Sequence, residues 1–239
     1  MQNYFLTATG LYFIILFRYF LVAGFFYWLL WVKRPEHFCQ RKLNMDDPSP
    51  ATIKSEIKWS LLTSVVFALP GAVMIESWKA GGTMIYSDFE KYGVLYLLVS
   101  AFIYLFLHDT FFYWTHRLMH HPRLFRIFHQ VHHNSRSPTP WASFSFSAWE
   151  ALIEALVVPL LTFVLPIHIG VLGIILTTMT LFGVTNHAGF EIFPVRWMRG
   201  FWGRTMITAT HHNLHHRNYQ VNYGLYFRFW DKIMGSDRL

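Results

Sequence analysis

The stretch YFLTATGLYFIILFRYFLVAGFFYWLLWV, residues 4–32, decides the class of fold, because a single charged residue, Arg18, interrupts this long, mostly apolar run. A helix needs roughly 20 mostly apolar residues to cross the hydrocarbon core of a bilayer. The run is also longer than the apolar core of a signal peptide, so we expect it to be retained as a membrane helix.

Further apolar stretches follow along the chain at residues 61–78, 92–114 and 151–184. The last of them has 34 residues, which is too long for one crossing at a rise of about 1.5 Å per residue. The sequence PIHIG, residues 166–170, is expected to divide it into a helical hairpin, either re-entrant or fully spanning. We therefore predict an all-α fold in which residues 1–239 form one multi-span membrane domain.

The composition agrees with a membrane protein: 54% of the residues are hydrophobic and only 14% are charged, against roughly 25% charged residues in a typical soluble domain. The formal net charge is +7. Six basic residues lie in segment 33–58 and two in segment 79–91. Cytoplasmic loops carry the excess of Lys and Arg, so we place segment 33–58 inside and segment 79–91 outside. The basic charge then indicates anionic lipid headgroups as partners, and not nucleic acid.

The histidines are the unusual feature of this sequence. Of the 14 histidines, six lie between residues 116 and 133 and four between residues 211 and 216. The spacing H-x-x-H-H occurs twice, at residues 129–133 and 212–216. Positions i, i+3 and i+4 share one face of a helix, so we expect each triplet to direct its imidazoles at one point. Imidazole is a ligand for iron, zinc, copper and nickel, and the number of histidines predicts two metal ions.

Two other classes of membrane protein use histidines and remain alternatives. A haem electron-transfer protein would place histidine pairs deep within facing spans. A metal transporter would place its ligands near the midplane of several helices. In this sequence, the predicted topology brings both clusters to the cytoplasmic side, where aromatic residues rather than glycine and serine surround them. A metal-dependent enzyme is therefore the favoured interpretation.

From about residue 100 to the C-terminus, the chain resembles the fatty acid hydroxylase and sterol desaturase superfamily. The motifs that carry the resemblance, in the same order and with matching spacing, are HDTFFYWTHRLMHH (108–121), FHQVHH (128–133), NHAGFE (186–191), THHNLHH (210–216), NYG (222–224) and WDKIMG (230–235). The resemblance implies a non-haem diiron oxygenase with its histidine boxes in a helical cap on the cytoplasmic face. Two iron ions, replaceable by zinc on overexpression, would use O2 as co-substrate. By motif match, the metal ligands are His116, His120, His129, His132, His133, His187, His212, His215 and His216.

Six further residues are predicted either as additional ligands or as groups that support the ligands. His121 and His211 adjoin matched ligands, and Glu191 follows His187 by four residues, where some relatives have a histidine. The full set is His108, Asp109, His121, His211, Glu191 and Glu150.

Two of the three carboxylates in this set have a specific predicted role. Asp109 precedes His116 by seven residues and so lies on nearly the same helix face, from which a carboxylate can hold the far nitrogen of a ligating imidazole. Glu150 either orients a ligand or begins the next helix. The chain has Ser147 and Ala148 where many relatives have His-Pro, so any role of that histidine is missing here.

The predicted reaction is the oxidation of a C–H bond of a membrane lipid by hydroxylation or desaturation, with no catalytic residue beyond the metal ligands. Sterol, fatty acyl, sphingolipid and carotenoid substrates all fit the motifs. Six aromatic residues are the predicted walls of a lipid tunnel, namely Phe111, Phe112, Trp114, Phe144, Phe146 and Trp149. The sequence contains neither a G-x-G-x-x-G nucleotide motif nor a C-x-x-C-H haem motif, so we expect an external electron donor of the cytochrome b or ferredoxin type.

Overall fold

The computed structural model describes residues 2–33, 35–44 and 46–239, and these residues are mostly helical. The helices are α1 (Gln2–Tyr27), which continues as a π-helical segment (Trp28–Lys33), α2 (Pro35–Phe38), α3 (Pro50–Lys79), α4 (Gly93–Met119), α5 (Pro122–Phe128), α6 (Gln130–His133), α7 (Ala148–Thr162), α8 (Ile169–Asn186), α9 (Val195–Arg199), α10 (Phe201–Thr205), α11 (Ala209–Asn218) and α12 (Phe229–Ile233). Short 3-10 turns cover Cys39–Arg41 and Pro140–Phe144. Two strands, β1 (Ile85–Tyr86) and β2 (Ile167–His168), pair in parallel. The predicted all-α fold is confirmed.

Four of the helical segments are long and apolar enough to cross a membrane: Asn3–Lys33, Pro50–Lys79, Gly93–Met119 and Ile169–Asn186. In the most apolar part of each, only 17–33% of the residues are buried inside the protein. Large apolar side chains therefore point outward, as Phe5 (65% exposed) and Leu95 (76% exposed) do. Continuous apolar surface of this extent is matched to lipid rather than water, so the chain is an integral membrane protein.

Two of these helices differ in their ends from the predicted spans. Helix α3 begins at Pro50, well before residue 61, because the Ser49 hydroxyl caps it by accepting the N–H of Thr52 and proline suits the first helical position. Helix α4 continues past residue 114 to Met119 and so carries His116 within its last turn. Both extensions lie at the same end of the bundle.

The predicted hairpin is present as α7 and α8, joined through β2. The 15 residues of α7 rise about 22 Å at about 1.5 Å per residue, less than the hydrocarbon core of roughly 30 Å. The turn of the hairpin lies against the loop between α3 and α4, where Ile167 pairs with Ile85 and His168 Nε2 lies 3.1 Å from the Ser87 carbonyl oxygen. His168 is therefore at the end of the bundle opposite His116.

Helix α1 packs along α3 and is held by polar contacts near its start and its middle. The Thr7 hydroxyl donates to Glu76 Oε1 over 2.5 Å, and the Tyr19 hydroxyl donates to the Trp141 carbonyl oxygen over 2.8 Å. The main apolar core lies between α3, α4, α7 and α8, where Tyr104 and Ile175 are each 1% exposed.

The short helices α5, α6 and α9–α12 surround the end of the bundle at which α4 and α8 terminate. Asp231 of α12 holds this cap together by accepting the N–H groups of Tyr223 and Gly224, each over 2.9 Å. A Cβ atom on Gly224 would lie 2.5 Å from the Phe227 carbonyl oxygen, so only glycine fits there. The NYG and WDKIMG motifs thus form one folded unit beside the histidines.

Candidate metal centre

Nine histidines converge in two groups at the end of the bundle covered by the cap. Within each group, one potential ligand atom per residue lies within 4.8 Å of all the others. The five-histidine group is His116, His120, His129, His133 and His215. The four-histidine group is His132, His187, His212 and His216. These are the nine residues that the motif match assigned as ligands, and the fold brings all of them together.

The two H-x-x-H-H boxes, residues 129–133 and 212–216, are each divided between the two histidine groups. This corrects the expectation that all three imidazoles of a triplet point at one metal ion. His129 and His133 belong to the five-histidine group, whereas His132 belongs to the other. In the same way, His212 and His216 share a group from which His215 is excluded. Because a helix turns about 100° per residue, position i+4 lies about 40° to one side of i and position i+3 about 60° to the other. Each box therefore bridges the two groups.

Hydrogen bonds to backbone carbonyls orient several of these rings and select their tautomer. His116 Nδ1 lies 2.8 Å from the Tyr223 carbonyl oxygen, and His187 Nδ1 lies 2.6 Å from that of Gly183. His215 Nδ1 lies 2.7 Å from the Val221 carbonyl oxygen. A carbonyl only accepts, so Nδ1 carries the proton and Nε2 presents a bare lone pair.

These Nε2 atoms face one another at close range. The Nε2–Nε2 distances are 2.9 Å for His116–His129 and 2.8 Å for His187–His212. The distance for His132–His187 is 3.2 Å. Lone pairs at such distances repel unless a cation lies between them, and nitrogens about 2.1 Å from one metal ion are about 3 Å apart when adjacent in an octahedron. The donor set therefore fits one metal ion in each group.

Burial keeps these imidazoles in the neutral form that binds a metal. Desolvation by burial lowers the pKa of His120 to about 2 and that of His187 to about 4. It also lowers the pKa of His132 and His215 well below the ordinary value, and neighbouring histidines lower both further. A charged imidazolium is costly without water, so the rings need lose no proton to bind an ion near neutral pH.

Glu150 supports a predicted ligand directly. Its Oε1 lies 2.6 Å from His129 Nδ1, and both side chains are buried. Its own N–H donates to the Ser147 hydroxyl, which caps the start of α7. Both roles considered for Glu150 are therefore present, and Ser147 serves as a helix cap at the position where relatives have histidine.

Asp109 and His108 contact the cap instead of the ligands. Asp109 Oδ1 accepts the N–H groups of Leu225 (3.0 Å) and Tyr226 (2.7 Å). Among the described residues, Asp109 makes no hydrogen bond to a ligand imidazole, so the prediction that it holds one is wrong; its Oδ1 binds backbone N–H groups of the cap instead. His108 Nδ1 lies 3.2 Å from the Tyr226 hydroxyl.

The three other candidates lie outside both groups. Glu191 accepts from the hydroxyls of Thr208 (2.8 Å) and Thr210 (2.6 Å) and so holds the start of α11. His211 forms a capping box with Thr208 at the same helix start. His121 is exposed and caps α5 by accepting the N–H of Arg123. Each of these side chains serves a helix end rather than a metal group.

An apolar cavity of about 210 Å³ opens beside both histidine groups and extends between the membrane helices. Three of the six predicted aromatic wall residues line it, namely Phe112, Phe144 and Phe146. The other three do not: Phe111 packs against the apolar core, and Trp114 and Trp149 are exposed.

Two charged residues that the sequence interpretation did not assign to the site, Arg18 and Glu154, also line this cavity. The available signal for each was a charge within a predicted membrane span.

Comparison with known proteins agrees with this geometry. Residues 101–236 match the fatty acid hydroxylase family. The chain is 26% identical to a Delta(7)-sterol 5(6)-desaturase of Gibberella zeae over 93% of its length, and it covers 65% of that protein. It is 32% identical to the lathosterol oxidase of Homo sapiens over 61% of its length, covering 47% of that protein. It is 29% identical to a methylsterol monooxygenase of Aspergillus fumigatus over 87% of its length, covering 70% of that protein. No solved structure matches the chain.

Spanning helices that end in two groups of converging imidazoles define an integral membrane protein with histidine boxes. Because the family match covers more than half of its residues, the chain belongs to the fatty acid hydroxylase family. The resemblance to the fatty acid hydroxylase and sterol desaturase superfamily is thereby confirmed. The chain spans about two thirds or less of the length of several of the curated relatives it matches.

Proposed function

We propose that this protein is an O2-dependent lipid hydroxylase or desaturase that binds two iron ions through its nine clustered histidines. One observation carries the proposal: two groups of converging imidazoles border an apolar cavity between membrane helices. Ligands for two metal ions and a lipid-compatible cavity thus share one site. The similarity to a sterol desaturase, a lathosterol oxidase and a methylsterol monooxygenase supports the same class of reaction.

When bound, the two iron ions would supply the activation of dioxygen and the removal of hydrogen from an unactivated C–H bond. The nine imidazoles would hold the ions, and Glu150 would keep His129 in its orientation. Phe112, Phe144 and Phe146 exclude water from the cavity and position the lipid chain. These are the tasks that the protein's own residues would perform, since the bound metal ions would supply the oxidising chemistry.

We further propose that the site lies on the cytoplasmic face and receives electrons from a separate protein. The distribution of basic residues supports this orientation. Two exposed arginines, Arg136 and Arg217, and one acid, Asp46, line a surface depression that reaches His216. A negatively charged electron carrier of the cytochrome b or ferredoxin type would dock there, directly beside an imidazole of the four-histidine group.

The test combines metal analysis with lipid profiling. Protein purified after iron supplementation should contain two metal ions per chain and no Soret absorption band. Lipids of a host that expresses the protein should gain a hydroxyl group or a double bond in an oxygen-dependent manner, and the His132→Ala variant should not produce this change. A haem spectrum, or metal uptake without lipid oxidation, would contradict the proposal.

A further inference from the structure

A buried carboxylate near the start of α3 binds the chain that follows the second histidine box. Glu56 Oε1 accepts from the Ser135 hydroxyl over 2.5 Å and from the Thr139 N–H over 3.4 Å. Its Oε2 accepts from the Thr139 hydroxyl. All three side chains are buried, each with 4% exposure or less. Glu56 lies outside residues 101–236, which match the family, and it has no task in the oxidation described above.

This carboxylate is the first member of a polar stripe on α3 that holds the whole of loop 135–144. Ser60 and Thr63 follow it four and seven positions later, and these spacings place all three side chains on one face of the helix. The Ser60 hydroxyl donates to the Trp141 carbonyl oxygen over 2.9 Å. The Thr63 hydroxyl donates to the Phe144 carbonyl oxygen over 2.5 Å. Loop 135–144 is therefore attached to α3 from its first residue to its last.

Both ends of loop 135–144 contact His132, a member of the four-histidine group. The Ser135 N–H donates to the His132 carbonyl oxygen over 3.4 Å. The Ser145 carbonyl oxygen, directly after the loop, lies 3.3 Å from His132 Nδ1. A carbonyl only accepts, so Nδ1 carries the proton and Nε2 presents its lone pair, 3.2 Å from Nε2 of His187. The loop thus sets both the backbone and the ring of this histidine.

Packing alone does not explain a carboxylate at position 56. A buried carboxylate is unfavourable unless hydrogen bonds compensate its lost hydration, and an apolar side chain would fill the same space without that penalty. Here two hydroxyls and one backbone N–H converge on Glu56. A buried polar network in which the groups satisfy one another fixes a single arrangement of the chain. The contribution of Glu56 is therefore the geometry of loop 135–144.

We propose that Glu56 is a positioning residue for the four-histidine group, which it serves by fixing loop 135–144 and thereby the direction of the His132 imidazole. This inference rests on the proposed function and extends its metal centre to a helix outside the family match. Three rings of the five-histidine group have hydrogen-bond acceptors outside this loop, namely His116, His129 and His215. The effect of Glu56 should therefore fall on the four-histidine group.

The first measurement is a zinc titration of the metal-free protein in detergent against a competing chelator. Glu56→Leu leaves three buried donors unpaired and should weaken one of the two binding steps by about tenfold, with the other step within about twofold. Glu56→Gln keeps an acceptor oxygen and should stay within about threefold at both steps. The matched control is Glu76→Leu, because Glu76 accepts from the Thr7 hydroxyl at the other end of the same helix.

A double variant identifies the weakened step. His132→Ala should weaken the same step as Glu56→Leu. Adding Glu56→Leu to His132→Ala should leave the remaining step unchanged, because the carboxylate then has no His132 ring to position. A general loss of stability would instead weaken the remaining step as well.

The second measurement needs no metal. Diethyl pyrocarbonate modifies accessible neutral imidazoles, and tandem mass spectrometry resolves the rate for each histidine. Glu56→Leu should raise the rate at His132 severalfold, and Glu56→Gln should restore most of the protection. His215 is held by the Val221 carbonyl oxygen at 2.7 Å, away from loop 135–144, so its rate should not change.

Unchanged zinc steps and an unchanged His132 rate in Glu56→Leu would overturn the inference. Equal weakening of both zinc steps, with equal increases in rate at His132 and His215, would also overturn it, because Glu56 would then serve only the stability of the fold. If Glu56→Leu does not accumulate in membranes, Thr139→Val removes one donor to the same carboxylate and should show the same selectivity. Fewer than two zinc steps in the unmodified protein would count against the proposed metal centre, while the His132 rate would still decide the role of Glu56.

Discussion

Replacing Glu150 tests whether the carboxylate that contacts His129 supports a metal ligand. Glu150 Oε1 lies 2.6 Å from His129 Nδ1, and the two side chains are 3% and 2% exposed. Removing a hydrogen-bond partner of a metal-binding histidine typically costs 10- to 100-fold in metal affinity or activity. Glu150→Gln keeps an acceptor, so we expect a loss of about tenfold. Glu150→Ala leaves the buried Nδ1–H without an acceptor, so we expect about 100-fold, or about 2.8 kcal/mol.

The loss of metal affinity should affect only one of the two ions, because His129 belongs to the five-histidine group. Zinc titration of the metal-free protein against a competing chelator should show one binding step weakened and the other unchanged. Lipid oxidation should fall with the weakened step. Glu76→Ala is the control for a lost carboxylate elsewhere in the bundle. If Glu150→Ala kept both binding steps and its activity within twofold at equal abundance, the support role assigned to Glu150 would be refuted.

Three further predictions follow from the site and its surroundings. His132→Ala should lose metal mainly from the four-histidine group and His215→Ala from the five-histidine group, and both should have activity below detection. The control, His168→Ala at the far end of the bundle, should keep metal content and activity within about twofold. Equal loss in all three variants would contradict this division. NADPH and oxygen alone should support no lipid oxidation until a reductase and its electron carrier are added. Arg217→Glu should raise the KM for an acidic carrier severalfold and leave the metal content unchanged. High salt should diminish this difference in KM. Burial lowers the pKa of His187 to about 4, against about 6.5 in an unfolded chain, so between these pH values the unfolded state binds an extra proton. The thermal midpoint of the metal-free protein should therefore be highest above about pH 6.5 and fall as the pH approaches 4. A midpoint that rises on acidification would contradict a buried, neutral imidazole.

Much of the bundle was predictable because membrane helices are encoded locally. A run such as residues 4–32 needs about 20 apolar residues to satisfy the bilayer, whatever the rest of the chain does. The ends of α3 and α4 were less predictable. The cap at Ser49 and the extension to Met119 lie outside the apolar runs, where polar contacts rather than hydropathy decide where a helix stops.

The candidate site divides in the same way between local pattern and long-range contact. The motifs identified the nine converging histidines, since ligand spacing on a short helix is a property of neighbouring residues. The partner of Asp109 was not predictable, because the backbone N–H groups that donate to its Oδ1 belong to residues 225 and 226, more than 100 positions away. Glu191 likewise has the right spacing for a ligand but is turned toward Thr208 and Thr210.

The sequence by itself determined the membrane class, the family and the set of histidines, because hydropathy and short spacings are carried by contiguous residues. Only the tertiary structure decided how each box divides between two groups, which carboxylate supports a ring, and that Arg18 and Glu154 line one cavity. Those outcomes depend on the rotation of each helix about its axis. That rotation is set by side-chain packing against helices distant in the chain, which no local pattern records.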